Sequence, residues 1–228
     1  MSTFILVHGA WNQGTTWKKT LPILQAPGRT VLTPSLRADA GTRLSDHVTQ
    51  VEELIAKASG FGGPVTLVAH SYAGVPASQA VIRSGGVDRL VLLDAWLAPA
   101  GKSLLDVAPD WFADWCRTSA TGDPAMLPIP PLGSIGVPDD SAEAAWLGRR
   151  LVEHPLATFT DPVESTLDSQ RLDALGVERH ALLCVPGTMP FREFAIEAGC
   201  AIDEISSGHS VMVTRPVTLA RRLLRLGS

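Results

Sequence analysis

Residues 65–76 read VTLVAHSYAGVP. An apolar, β-branched run rises to His70-Ser71-Tyr72, and small residues follow. The pattern is that of a strand, a sharp turn and a helix, with a serine displayed at the turn. Such a turn normally reads Gly-x-Ser-x-Gly, because the bend is strained and strand and helix pack closely behind it. Here Ala69 and Ala73 occupy both glycine positions, and Gly74 comes one place late. Alanine is the smallest departure from glycine, so the substitution suggests slightly more space behind the turn rather than lost chemistry.

The rest of the chain supplies a context in which such a turn makes sense. Short apolar runs bounded by Gly and Pro alternate with helical patterns, which argues for a parallel sheet with crossover helices. Strands are expected at Thr3–Val7, Thr30–Thr33, Val65–Ala69, Leu90–Leu93, Ala181–Val185 and Ala201–Ile205. Their near-continuous hydrophobicity fits strands covered on both faces. Helices are expected at about Thr16–Leu24, Leu44–Ser59, Val75–Ser84, Phe191–Ala198 and Val217–Leu226. In the second of these Ser45 can cap, and Val48, Val51, Leu54, Ile55 and Ala58 recur at helical spacing. Between Leu97 and Gly176 the character changes. Prolines cluster (Pro124, Pro128, Pro130, Pro131, Pro138), tryptophans accumulate and no clear strand run is seen. The expected organisation is a core formed by 1–96 and 177–228, with 97–176 inserted as a mostly helical cap.

Composition narrows the function classes. Of 228 residues, 45% are hydrophobic and 18% charged, which fits a globular enzyme rather than a disordered chain. The net charge is −4, and the largest basic cluster, Arg221, Arg222 and Arg225, has the spacing of a solvated helix face, so nucleic acid is not an expected partner. MSTFILVHGAW lacks the n-region of a signal peptide, and no run approaches the length of a membrane span. The 3 cysteines (Cys116, Cys184, Cys200) are widely spaced and offer no zinc-like pattern, so no metal site is expected. A reduced, cytoplasmic setting and a small-molecule partner are the expectation, with a homodimer left open.

FILVHGAW (4–11), TLVAHSYAG (66–74), LVLLDAW (90–96), TFTDPV (158–163) and SSGHSVMVTRP (206–216) follow one another in the order found in the α/β-hydrolase superfamily. The chain most resembles its small branch of plant-type methyl esterases, hydroxynitrile lyases and bacterial esterases such as pyrethroid hydrolases. The resemblance covers nearly the whole chain and is weakest in the cap. It implies an α/β fold with a mainly parallel six-stranded sheet flanked by helices. It also implies Ser71 as nucleophile, His209 after the last strand as general base, and backbone N–H groups of Ala10 and Tyr72 as oxyanion hole, with no cofactor. The motif around His8 and Trp11, together with Trp96, Trp111 and Trp115, is expected to contact substrate. The cap's tryptophans could equally form its own small core.

The triad acid is the irregular element. The resemblance places an aspartate after ALLCV, but the chain reads Pro186-Gly187-Thr188-Met189-Pro190, and the next acid is Glu193. Asp94 ends the strand after the nucleophile strand, where some superfamily members carry the acid. A carboxylate ending a buried parallel strand needs a partner, and imidazole would provide one. Asp94 is the expected triad acid, with Glu193, a Ser–His dyad or a purely structural role for Asp94 as the alternatives. The implied activity is hydrolysis of a small apolar or aromatic ester or thioester. A lyase or cyclase using the same Ser–His pair, or a non-catalytic receptor on this fold, are the competing readings. The lysines Lys18, Lys19, Lys57 and Lys102 avoid the segment where a hydroxynitrile lyase would place one.

Overall fold

A computed structural model describes residues 1–227. Its centre is a 6-stranded sheet. The strands are β1 (Ser2–Val7), β2 (Arg29–Leu32), β3 (Val65–His70), β4 (Arg89–Leu93), β5 (Glu178–Val185) and β6 (Ala201–Ser206). They lie in the order β2-β1-β3-β4-β5-β6, every neighbouring pair parallel. The strand runs read from the sequence all appear, with ends shifted by a residue or so except in β5. That strand begins three residues earlier than the apolar run, because Glu178 and His180 sit on ladder positions opposite Arg89 and Val91. All of β3 is buried, as expected of a central strand with helices on both faces.

The principal helices are α1 (Leu44–Ser59), α2 (Gly74–Ser84), α3 (Asp110–Ser119), α4 (Phe191–Glu197) and α5 (Pro216–Leu226). Ser45 does not cap α1. Arg43 is the N-cap, and its N–H donates to the Asp46 carboxylate at 2.8 Å. The Leu44 N–H is taken by Asp161 of the intervening segment at 3.0 Å. The expected helix over 16–24 is broken into a 3-10 turn, Gly14–Lys19, and a single α-turn, Leu21–Leu24. Pro22 lacks the N–H needed to continue a helix through this point, and fits only in a first turn.

Residues 97–176 join β4 to β5. They hold α3, several shorter helical turns, and one element not foreseen: Met126–Leu127 pairs antiparallel with His154–Pro155. The segment is tied to the loops at the C-terminal edge of the sheet. Val152 N–H donates to the Trp11 carbonyl at 2.9 Å, and Ser210 donates to the Ile135 carbonyl from both N–H (3.1 Å) and Oγ (2.9 Å). Gly136 meets Gly208 so closely that a Cβ at position 208 would lie 2.3 Å from the Gly136 oxygen.

Candidate active site

In a parallel sheet the C-terminal strand ends gather the loops at one edge, where ligands bind. Ala10 and Trp11 follow β1, Ser71 follows β3, Asp94 follows β4, Pro186–Met189 follow β5 and His209 follows β6. All of them border a single cavity of about 570 Å3.

Ser71 adopts φ 55°, and a short 3-10 turn, Ser71–Ala73, leads it into α2. Trp11 (φ 62°), Ser71 and Asp94 (φ 42°) are the non-glycine residues with positive φ among those described, and all three line the cavity. Such backbone geometry is sparsely populated and concentrates at functional sites. The missing motif glycines are explained by what surrounds the turn. Ala69 and Ala73 are fully buried with room for their methyls. The close approach has moved to Gly74, where a Cβ would lie 2.3 Å from the Trp96 carbonyl oxygen. It also occurs at Gly9, where a Cβ would lie 2.7 Å from that of Ser71.

The carboxylate facing His209 is Asp94. Asp94 Oδ2 lies 3.1 Å from His209 Nδ1, while Oδ1 accepts the Cys184 N–H at 2.7 Å and the Asp94 N–H donates to Leu182 O at 3.0 Å. Two grips on β5 thus hold Asp94, which is 4% exposed. Glu193 lies on the exposed side of α4. The His209 ring lies between two others: His70 at 4.6 Å between centroids and Phe191 stacked at 5.5 Å. His70 also donates from Nε2 to the His209 carbonyl at 3.1 Å. With Nδ1 turned to Asp94, Nε2 is the nitrogen left for the cavity. Ser71 Oγ makes no hydrogen bond among the described residues. The Ala10 and Tyr72 N–H groups donate to no protein acceptor there either.

Residues 4–222 match the alpha/beta hydrolase family. The chain belongs to it. This α/β-hydrolase enzyme is 30% identical over 259 aligned residues to a carbendazim hydrolyzing esterase from Nocardioides sp. (strain SG-4G), across 100% of both chains. It superposes on an extracellular alpha/beta-hydrolase from a Paenibacillus species at TM-score 0.83 and 18% identity, covering 100% of this chain and 99% of the other. A pyrethroid hydrolase from Sphingobium faniae JZ-2 gives TM-score 0.77 at 18% identity, over 99% and 97% of the two chains. These structural likenesses are ones of fold.

Within this α/β-hydrolase, Trp11, Trp96, Trp111 and Trp115 border the cavity, Trp111 at its mouth with 60% exposure. His8 does not border it. Its Nε2 accepts the Leu36 N–H at 3.0 Å and its Nδ1 donates to the Gly9 carbonyl at 2.8 Å, so its role is to brace the loop after β1. Burial lowers its pKa to about 4. Phe112, Phe159 and Phe191 complete the aromatic wall, and sequence reading passed over them. A second group was also missed. The Tyr72 hydroxyl donates to His47 Nδ1 at 2.8 Å, His47 Nε2 donates to the Arg37 carbonyl at 2.7 Å, and His154 packs on the Tyr72 ring at 4.9 Å. Burial pushes the Tyr72 phenol up and the His47 and His154 imidazoles down, so all three stay neutral. They hold in place the residue that follows Ser71 and borders the cavity.

Proposed function

We propose that the protein is a cofactor-independent serine hydrolase that cleaves small, apolar or aromatic esters or thioesters through Ser71, His209 and Asp94. The observation that carries this reading is the 3.1 Å contact of His209 Nδ1 with Asp94, which directs Nε2 into the cavity that Ser71 borders. The relative named as an esterase supports the ester as substrate class.

In this reading His209 Nε2 takes the Ser71 proton as Oγ attacks the carbonyl carbon. Asp94 holds the ring in the Nδ1–H tautomer and stabilises the imidazolium that forms. The Ala10 and Tyr72 N–H groups receive the oxyanion, and a single such donor is worth about 3–4 kcal/mol of barrier. His209 returns the proton to the leaving alcohol or thiol, and water then cleaves the acyl-enzyme by the same route. The aromatic walls bury the organic parts of the substrate, which favours apolar and aromatic groups. Residues 97–176 act as a cap that supplies most of those walls.

The test is hydrolysis of short-chain 4-nitrophenyl and naphthyl esters by wild type and Ser71→Ala, with mass spectrometry for an acyl group on Ser71. Equal, background-level rates in both proteins would rule the reading out.

A further inference from the structure

In the hydrolase reading two N–H groups meet the oxyanion, and each belongs to a residue beside a strained one. Ala10 precedes Trp11 (φ 62°), and Tyr72 follows Ser71 (φ 55°). Non-glycine residues stay in this region only where their surroundings over-determine them. Here one stretch of the 97–176 segment supplies those surroundings to both loops. The Val152 N–H donates to the Trp11 carbonyl at 2.9 Å. Two residues on, the His154 ring meets the Trp11 ring at 6.0 Å and the Tyr72 ring edge-on at 4.9 Å between centroids. Phe159 reaches the same two rings, at 5.9 and 5.4 Å, but Phe159 also borders the cavity and His154 does not.

The His154 ring is itself held firmly. Its residue pairs with Leu127 in the short antiparallel ribbon, and its Nε2 lies 2.8 Å from Thr158 Oγ1. The Thr158 hydroxyl donates to the Pro155 carbonyl at 2.9 Å, so it accepts from His154 Nε2–H and sets the rotation of the ring. With 5% exposure and no share in the cavity, this imidazole acts through what it packs against. Resting on the serine-hydrolase reading above, we propose that His154 is a positioning residue for the oxyanion hole, its ring wedged against Trp11 and Tyr72 so that the Ala10 and Tyr72 N–H groups converge. The 97–176 segment then completes the catalytic centre as well as walling it. Without the ring, Trp11 and Ser71 relax toward ordinary φ, the peptides beside them turn and the two donors diverge. The ground-state carbonyl loses little by this and the tetrahedral oxyanion loses most, because such donors act where charge develops.

The experiment compares wild type, Ser71→Ala, His154→Ala and His154→Phe in 1-naphthyl acetate hydrolysis and in inhibition by 2,2,2-trifluoroacetophenone and by 1-naphthol. The ketone carbon bonds to Ser71 Oγ as the serine proton passes to His209, which leaves an oxyanion facing the two N–H groups; naphthol only fills the aromatic cavity. His154→Ala should lower kcat by about 10–100-fold with KM within about threefold, and weaken the ketone by a similar factor. Naphthol binding should stay within about twofold, because the aromatic walls of the cavity are untouched. His154→Phe keeps a ring against Trp11 and Tyr72 and should recover most of both losses. If His154→Ala does not fold, His154→Leu, which refills most of the volume without a ring, supplies the comparison. Unchanged kcat and ketone affinity, or ketone and naphthol weakened alike in step with the thermal midpoints, would assign His154 to stability and overturn the proposal alone. If Ser71→Ala hydrolyses the ester as fast as wild type, the hydrolase reading fails and the proposal fails with it.

Discussion

His209 Nδ1 and Asp94 Oδ2 lie 3.1 Å apart, although the two residues are 115 positions apart in the chain. Asp94 reaches this position from the end of β4, and its second oxygen is held by the Cys184 N–H of β5. In Asp94→Asn the amide oxygen can keep the Cys184 contact, but an NH2 group is then turned toward Nδ1 and selects the wrong tautomer. The expected loss in kcat is about 10^4-fold with an unchanged fold. Glu193→Gln should stay within about twofold of wild type, because an exposed carboxylate away from the site contributes to neither binding nor proton transfer. Steady-state kinetics of the two variants decide between the acids.

Much of this could be read from residue order. The apolar strand runs, Ser71 at the turn and His209 after the last strand were legible because each is a local pattern. Asp94 was legible as the expected acid but with Glu193 as a rival, since which carboxylate meets an imidazole depends on strand order. The break at Pro22 and the Arg43–Asp46 cap were obscured by helical spacing that runs on past them. Phe112 and Phe159 could not be assigned to the cavity wall, because a helix between β4 and β5 shows which face is apolar but not what that face meets. The neutral histidines looked solitary in sequence. His47 finds its Tyr72 partner only through the packing of α1 beneath the turn.

Gly74, rather than the motif positions, carries the steric demand of the turn at Ser71. Gly74→Ala places a methyl 2.3 Å from the Trp96 carbonyl oxygen, which is backbone and cannot swing away. Destabilisation by about 1–3 kcal/mol is expected, together with a fall in kcat as the loop bearing Asp94 shifts. Ala73→Gly, which restores the usual motif residue, should lower stability by no more than about 1 kcal/mol and leave kcat within about twofold. Urea midpoints and rates for both variants make the comparison.

Four buried imidazoles should make the fold sensitive to acid. Burial lowers the pKa of His8 to about 4, lowers that of His47, and holds His70 and His154 well below the usual range. The unfolded chain therefore binds more protons than the native one below about pH 6.5, and stability falls as pH falls. His8 alone contributes about 3 kcal/mol of this loss between pH 7 and 4, and the others add in the same direction. Urea midpoints measured at pH 7.5, 6.0 and 5.0 should decrease steadily. A flat series would contradict neutral, buried histidines.

His70 packs beside His209 and holds its backbone. Its Nε2–H donates to the His209 carbonyl at 3.1 Å, and its Nδ1 is buried without a partner, so the neutral Nε2–H tautomer is the one that fits. Leucine at this position removes the donor and strands a partly buried carbonyl, a loss of about 1–3 kcal/mol. If His70 positions His209, His70→Leu should lower kcat by about 10–100-fold with KM within about threefold, because the aromatic walls of the cavity are untouched. His70→Gln keeps an N–H able to reach the same oxygen and should recover most of the rate. Equal losses in both variants, tracking their thermal midpoints, would instead assign His70 to stability alone.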